Sequence, residues 1–205
     1  MNEGTKIILS ADELSAVMDR SFFEKKSRIT NKIYEAFAQV VKTANEQKIF
    51  SGIVFPQGTD FSTGKISKGE NYIGLPYLLL DFPRNFKGDD CIAIRTMLWW
   101  GNFISSTLLI SGAKTSAGKK SVIRHLSLLS EMKTWICIHE SPWLHHFDAD
   151  NYQPIHKLEK KEVAMMLESV TFVKLARKIP LRSINRLEMF TLDSFKLYRK
   201  ILLDI

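Results

Sequence analysis

Arg95 lies mid-run in the apolar, β-branched stretch Cys91 to Trp100, on the alternation that also carries Cys91, Ala93, Met97 and Trp99. A guanidinium in such company is strongly unfavourable unless a carboxylate pairs with it. Asp81, at the end of the run Tyr77 to Phe82, is the natural partner, and Glu140 is the second. A structural ion pair is the plainer use of those residues. Walled by aromatic and imidazole side chains, the same pair becomes a pocket for a small acidic or aromatic ligand, with Arg95, Asp81, Tyr77, Trp99, Trp135 and His139 as its residues.

The second constellation is histidine-rich. His139, His145, His146 and His156 fall in one stretch with Glu140, Asp148 and Asp150, and imidazoles mixed with carboxylates suit zinc, iron or manganese. The expected ligands of a divalent metal are His139, His145, His146 and Asp148, and a metal-assisted hydrolase is the alternative function. His145 and His146 are adjacent, so on a strand they point to opposite faces, and at most one joins a given site. Pro142, Trp143 and the pair Asp148 and Asp150 also mark the stretch as a surface loop, with solvated side chains as the plainer reading.

Gly112 to Ser121 stands where a phosphate-binding loop belongs, after an apolar strand and before a helix. Its spacing argues against nucleotide hydrolysis: the gap between Gly112 and Gly118 is one residue too long, and Lys120 holds the place of the hydroxyl that should follow Lys119. No serine or cysteine with an adjacent base can be picked out from order alone, so acyl transfer has no support. Whether the chain is an enzyme stays open.

Charge is uneven. Of the net +7, the segment 174–200 supplies most, with Lys174, Arg177, Lys178, Arg182, Arg186, Lys196, Arg199 and Lys200 against Glu188 and Asp193. Lys178, Arg182 and Arg186 follow at four-residue steps and would form one stripe if a helix ran through Pro180. A nucleic-acid-binding accessory protein is therefore a third reading, beside the usual solvated helix face.

These residues need a scaffold, and a hydrophobic content of 45% in 205 residues is enough for one core. Ser10 and Glu13 make a capping box ahead of a helical repeat over 11–47, either one helix or two broken near Ser27 to Asn31. Gly52 to Gly74 reads as long loops with at most one short strand. Tyr77 to Phe82, Cys91 to Trp100, Phe103 to Ser111 and Thr134 to His139 read as strands within the sheet region 72–140. The second and third pair about a two-residue turn at Gly101-Asn102, which sets Trp99 against Ile104, Met97 against Ser106, Arg95 against Leu108 and Ala93 against Ile110. A helix follows over Val122 to Met132, and 155–205 is helical and basic.

The fold expected is α+β, a single domain over 1–205 with an antiparallel sheet of about four strands covered by N- and C-terminal helices. Residues 96–113 carry no charge, but Gly101, Asn102 and several Ser and Thr interrupt them, which excludes a membrane span. Two cysteines without a redox or zinc spacing, and no export signal in Met1 to Ser10, favour a reducing, cytoplasmic setting. Beyond the possible metal, no cofactor is read.

Overall fold

The computed structural model describes residues 6–86 and 90–205. The chain forms two compact units, Met1–Glu35 and Ala36–Ile205. In the first, the capping box forms as expected: the Glu13 amide donates to Ser10 Oγ at 3.3 Å and the Ser10 amide donates to Glu13 Oε2 at 2.8 Å. Helix α1, Ala11–Met18, stops at Asp19. Asp19 then accepts the Phe22 amide at 3.0 Å and starts α2, Arg20–Glu46. The helical segment is thus broken at Asp19, ahead of the Ser27 to Asn31 position, because an aspartate at the junction satisfies first-turn amides of the next helix.

The second unit is built on a sheet of seven strands, with the order β1-β2-β3-β4-β7-β5-β6 and every pairing antiparallel. These are β1 (Lys65–Tyr72), β2 (Leu75–Asp81), β3 (Cys91–Trp99), β4 (Phe103–Ser111), β5 (Trp135–Cys137), β6 (Tyr152–Pro154) and β7 (Val173–Pro180). The α+β class holds, whereas the expectation of about four strands is too low. β7 escaped notice because Lys174, Arg177 and Lys178 interrupt its apolar alternation of Val173, Leu175 and Ile179. β1 carries mostly polar residues as an edge strand, and β6 is only three residues long.

The β3–β4 register also differs by one from the expected pairing. Trp99 pairs with Phe103, Met97 with Ser105, Arg95 with Thr107 and Ala93 with Leu109. The loop has three residues, Trp100 to Asn102, with Gly101 at φ +73°, a turn that closes one residue earlier than a two-residue hairpin. A one-residue slip moves each partner to the other face. Thr107 therefore shares a face with Arg95, and Leu108 does not.

That alternation gives the sheet two unlike faces. One carries Ile92, Ile94, Leu98, Ile104, Leu108, Ile110, Val173 and Leu175, all buried, and takes the helices. Helices α3 (Thr115–Arg124) and α4 (Leu126–Glu131) follow β4, α5 (Lys160–Glu168) precedes β7, and α6 (Leu187–Leu202) ends the chain; α3 and α6 pack on β4, with Tyr198 Oη donating to the Ser106 carbonyl at 2.6 Å. Phe37, Val40, Val41 and Ala44, from the part of α2 in this unit, are buried as well. The opposite face carries Asp81, Arg95, Thr107, Lys174 and Lys178. It is covered by the loop between β5 and β6 rather than by terminal helices, which corrects the expected layering.

Gly64 and Gly101 both have positive φ, +64° and +73°, but only Gly64 is crowded. A Cβ there would lie 3.1 Å from Leu80 and Phe82 and 3.2 Å from Val41, against 3.5 Å from Leu75 at Gly101. Gly101→Ala is expected to cost about 1 kcal/mol for the left-handed backbone, and Gly64→Ala about 2–4 kcal/mol as overpacking is added. Urea midpoints of the two variants should separate by that difference.

Candidate functional site

Antiparallel pairing sets Asp81 beside Arg95, Arg95 beside Thr107, and Thr107 beside Ala176 in one row across β2, β3, β4 and β7. Two residues along, Leu109 pairs with Lys174. The guanidinium meets the carboxylate in a fork, Nε to Oδ1 at 2.7 Å and Nη2 to Oδ2 at 3.0 Å. That is the bidentate geometry of a strong ion pair, and Asp81 is only 3% exposed. Glu140, the alternative partner, is exposed.

The loop from Ile138 to Asn151 closes over this row. Arg95 Nη1 lies 3.2 Å from His145 Nε2; because a guanidinium only donates, Nε2 is the acceptor and the imidazole is neutral. Burial pushes the His145 pKa well below the ordinary imidazole range, helped by the neighbouring charges of Lys174 and Arg95 and by His146. Tyr72 Oη, from the end of β1, accepts the amides of His145 and His146 at 2.6 Å and 3.0 Å.

Lys174 is the least compensated group on this face. It is 2% exposed, its Nζ donates to the Leu144 carbonyl, and it lies 5.2 Å from the centre of the Tyr152 ring. Among the described residues no carboxylate pairs with it. Burial drives its pKa down to about 8, with Arg95 adding to the fall and Cys137 opposing it. Beneath Leu144 and His145 the described residues set two cations, Arg95 and Lys174, against the one carboxylate of Asp81.

Arg95, Thr107, His145 and Lys174 line a small cavity whose apolar wall includes Phe86 and Trp143. Its volume of about 20 Å³ suffices for one water molecule. Of the residues expected to build the pocket, Arg95 lines it and Asp81 anchors it from beneath. Tyr77 and Trp99 pair at the far end of the same face, with Trp99 Nε1 bonded to the Tyr72 carbonyl. Trp135 packs edge-on to Phe147 and beneath Lys178 Nζ at 4.7 Å, and His139 Nδ1 accepts the Ser141 amide at 2.9 Å. Lys174, Thr107 and His145 were missed as pocket residues. Lys174 was counted into a basic tail, although its place between Val173 and Leu175 was a signal of burial.

The histidine cluster divides. His146 Nδ1 lies 3.2 Å from Asp148 and 4.0 Å from Asp150, while His145 faces Arg95 and His139 is bonded to its own turn. The grouping expected from sequence, His139, His145, His146 and Asp148, therefore does not converge. The set that does, His146 with Asp148 and Asp150, has two exposed carboxylates.

The glycine-lysine stretch is folded into helix. Gly118 is buried within α3, where a Cβ would approach Ile110 at 3.2 Å, and Ser121 Oγ donates to the Ile201 carbonyl at 2.8 Å. Glycine and hydroxyl thus serve packing. The basic stripe does not form either: Lys178 is on β7, Arg182 and Arg186 lie in a 3-10 turn, and Arg177 bonds Ser194 Oγ on the helix side. Both cysteines are free and buried, and burial raises both thiols, Cys91 to about 11, leaving neither as a thiolate nucleophile. Among the described residues no helix is long and apolar enough to cross a membrane. No family model, curated protein or solved structure matches the chain.

Two stability predictions follow from the charges. Arg95→Met should cost about 3–5 kcal/mol by stranding Asp81, and Arg95→Met with Asp81→Leu should recover part of that; strictly additive losses in urea denaturation would refute the coupling. Lys174 behaves oppositely. Its folded pKa is about 8 against 10.5 for a free lysine, so between those values the unfolded chain holds more protons and stability rises with pH. Below pH 8 the burden is complete, about 3 kcal/mol. Lys174→Met should therefore be about 1–3 kcal/mol more stable than wild type at pH 7, after allowing for the Leu144 carbonyl left unbonded. That gap should narrow between pH 8 and 10.5, and a Lys174→Met protein less stable at pH 7 would contradict the assignment.

Proposed function

We propose that the protein is a binding module for a small aromatic acid, held on the loop-covered face of the sheet. The observation that carries this reading is Lys174, a buried ammonium with no carboxylate partner among the described residues, at a cavity it shares with Arg95. A buried charge is normally paired, and a ligand carboxylate in place of the Leu144 carbonyl would complete the pair. The wall supports an aromatic body, since Phe86 and Trp143 have ring centres 6.3 Å apart and are partly exposed.

Entry requires the segment Pro142 to His145 to lift, because about 20 Å³ is too small for a ring. What holds that segment is a set of hydrogen bonds to Lys174, Arg95 and Tyr72 rather than an apolar core. Lys174 then supplies the charge, Thr107 a hydroxyl, and Arg95 its one amino group not engaged by Asp81. Asp81 is a positioning residue that fixes the guanidinium through its two-point fork.

Isothermal titration with phenylacetate tests the reading, with benzyl alcohol as the neutral control. Phenylacetate should bind at least about tenfold more tightly than the alcohol, the difference of a charged hydrogen bond, and Lys174→Met should remove that preference. Affinity should be level between about pH 6 and pH 8, where the acid is ionised, and fall above it as free Lys174 loses its proton. Equal binding of acid and alcohol, or an undiminished preference in Lys174→Met, would overturn it.

A further inference from the structure

A second cavity of this unit lies elsewhere, between α3 and α5 (Lys160–Glu168), with a volume of about 710 Å³. That is within the range of small-molecule sites, roughly 300–1,000 Å³. Its floor is apolar, formed by Ile123, Ala164, Leu167 and Val170. Its rim is cationic. Lys119 and Lys120 both line it, and the single carboxylate present, Glu168, is 79% exposed and 3.8 Å from Lys119 Nζ. A pair so long and so exposed on one side is weak, which leaves the Lys119 ammonium available to a stronger anion. None of these residues belongs to the loop-covered face.

We propose that this cavity binds a single-headed anionic amphiphile, its tail against Ala164 and Leu167 and its head on Lys119 and Lys120. The stretch Gly112 to Ser121, which sequence alone places near a phosphate-binding loop, contributes through its lysines. Gly118 and Ser121 take no part, because they are engaged in packing. Two lysines against one solvated glutamate leave one net positive charge, which attracts an anionic head, a carboxylate or a phosphate monoester. The apolar floor is what selects for a tail.

Isothermal titration of the full chain below micelle-forming concentrations tests this with octanoate and octyl phosphate, using octanol and inorganic phosphate as the tail-only and head-only controls. At least one of the two amphiphiles should bind, at least about tenfold more tightly than either control, and the tighter of the two identifies the head group. Ala164→Phe should fill the floor and abolish binding with the melting temperature kept near wild type. Lys119→Gln with Lys120→Gln should weaken it at least about tenfold and keeps the test valid if Ala164→Phe fails to fold. Lys161→Gln, on α5 but away from the cavity, should change nothing. The proposal falls if neither amphiphile binds, if octanol binds as well as they do, or if the double lysine variant binds like wild type.

Discussion

Taking an ammonium out of water is unfavourable by several kcal/mol unless something negative meets it, and Lys174 is 2% exposed with a backbone carbonyl as its acceptor. The architecture of the loop-covered face is arranged around that imbalance. Asp81 neutralises Arg95 through a two-point fork, so it has little left to offer Lys174. His145 is constrained to be neutral by the guanidinium it faces, since a third positive charge there would sit against two others. The loop closes because Lys174, Arg95 and Tyr72 all hold its backbone or imidazole.

The two sheet faces show how one register can serve two physical tasks. On the helix side, residues at alternate positions of β3, β4 and β7 bury aliphatic chains against α3 and α6; Tyr198 donates to the Ser106 carbonyl and Arg177 to Ser194, while the buried Thr96 and Ser106 hydroxyls have no hydrogen-bond partner among the described residues. On the loop side, the same strands present Arg95, Thr107, Lys174 and Lys178. Lys178 lies over the Phe147, Trp135 and Phe103 rings at 4.4, 4.7 and 5.4 Å, where the negative ring faces offset part of its charge. Among the described residues Lys174 has one such ring, at 5.2 Å. The difference between the two lysines is the difference between a charge that has found partners and one that has not.

Much of this was readable from sequence, for identifiable reasons. The Arg95–Asp81 pair follows from the cost of an unpaired guanidinium in an apolar strand, an argument that needs no register, and so it survives the one-residue error in the β3–β4 pairing. The register itself depended on whether Trp100 belongs to the strand or the turn, which composition does not decide. Lys174 was hidden because β7 looks like a basic helix when its charged residues are counted and like a strand only when Val173, Leu175 and Ile179 are. The convergence of Tyr72, His145 and Lys174 joins segments more than seventy residues apart in the case of Tyr72 and His145, and no local pattern carries such a contact. The capping box at Ser10, by contrast, is wholly local and formed as expected.

The central claim is that Lys174 is a buried cation awaiting an anion. Its titration can be followed directly by the side-chain 13Cε resonance in lysine-labelled protein, assigned with Lys174→Met. The account predicts one lysine titrating near pH 8 in the free protein, and a move back toward the ordinary lysine value when phenylacetate saturates the site, because a bound carboxylate favours the charged form. A Lys174 that titrates with the surface lysines, or that keeps its low value when the acid is bound, would contradict it.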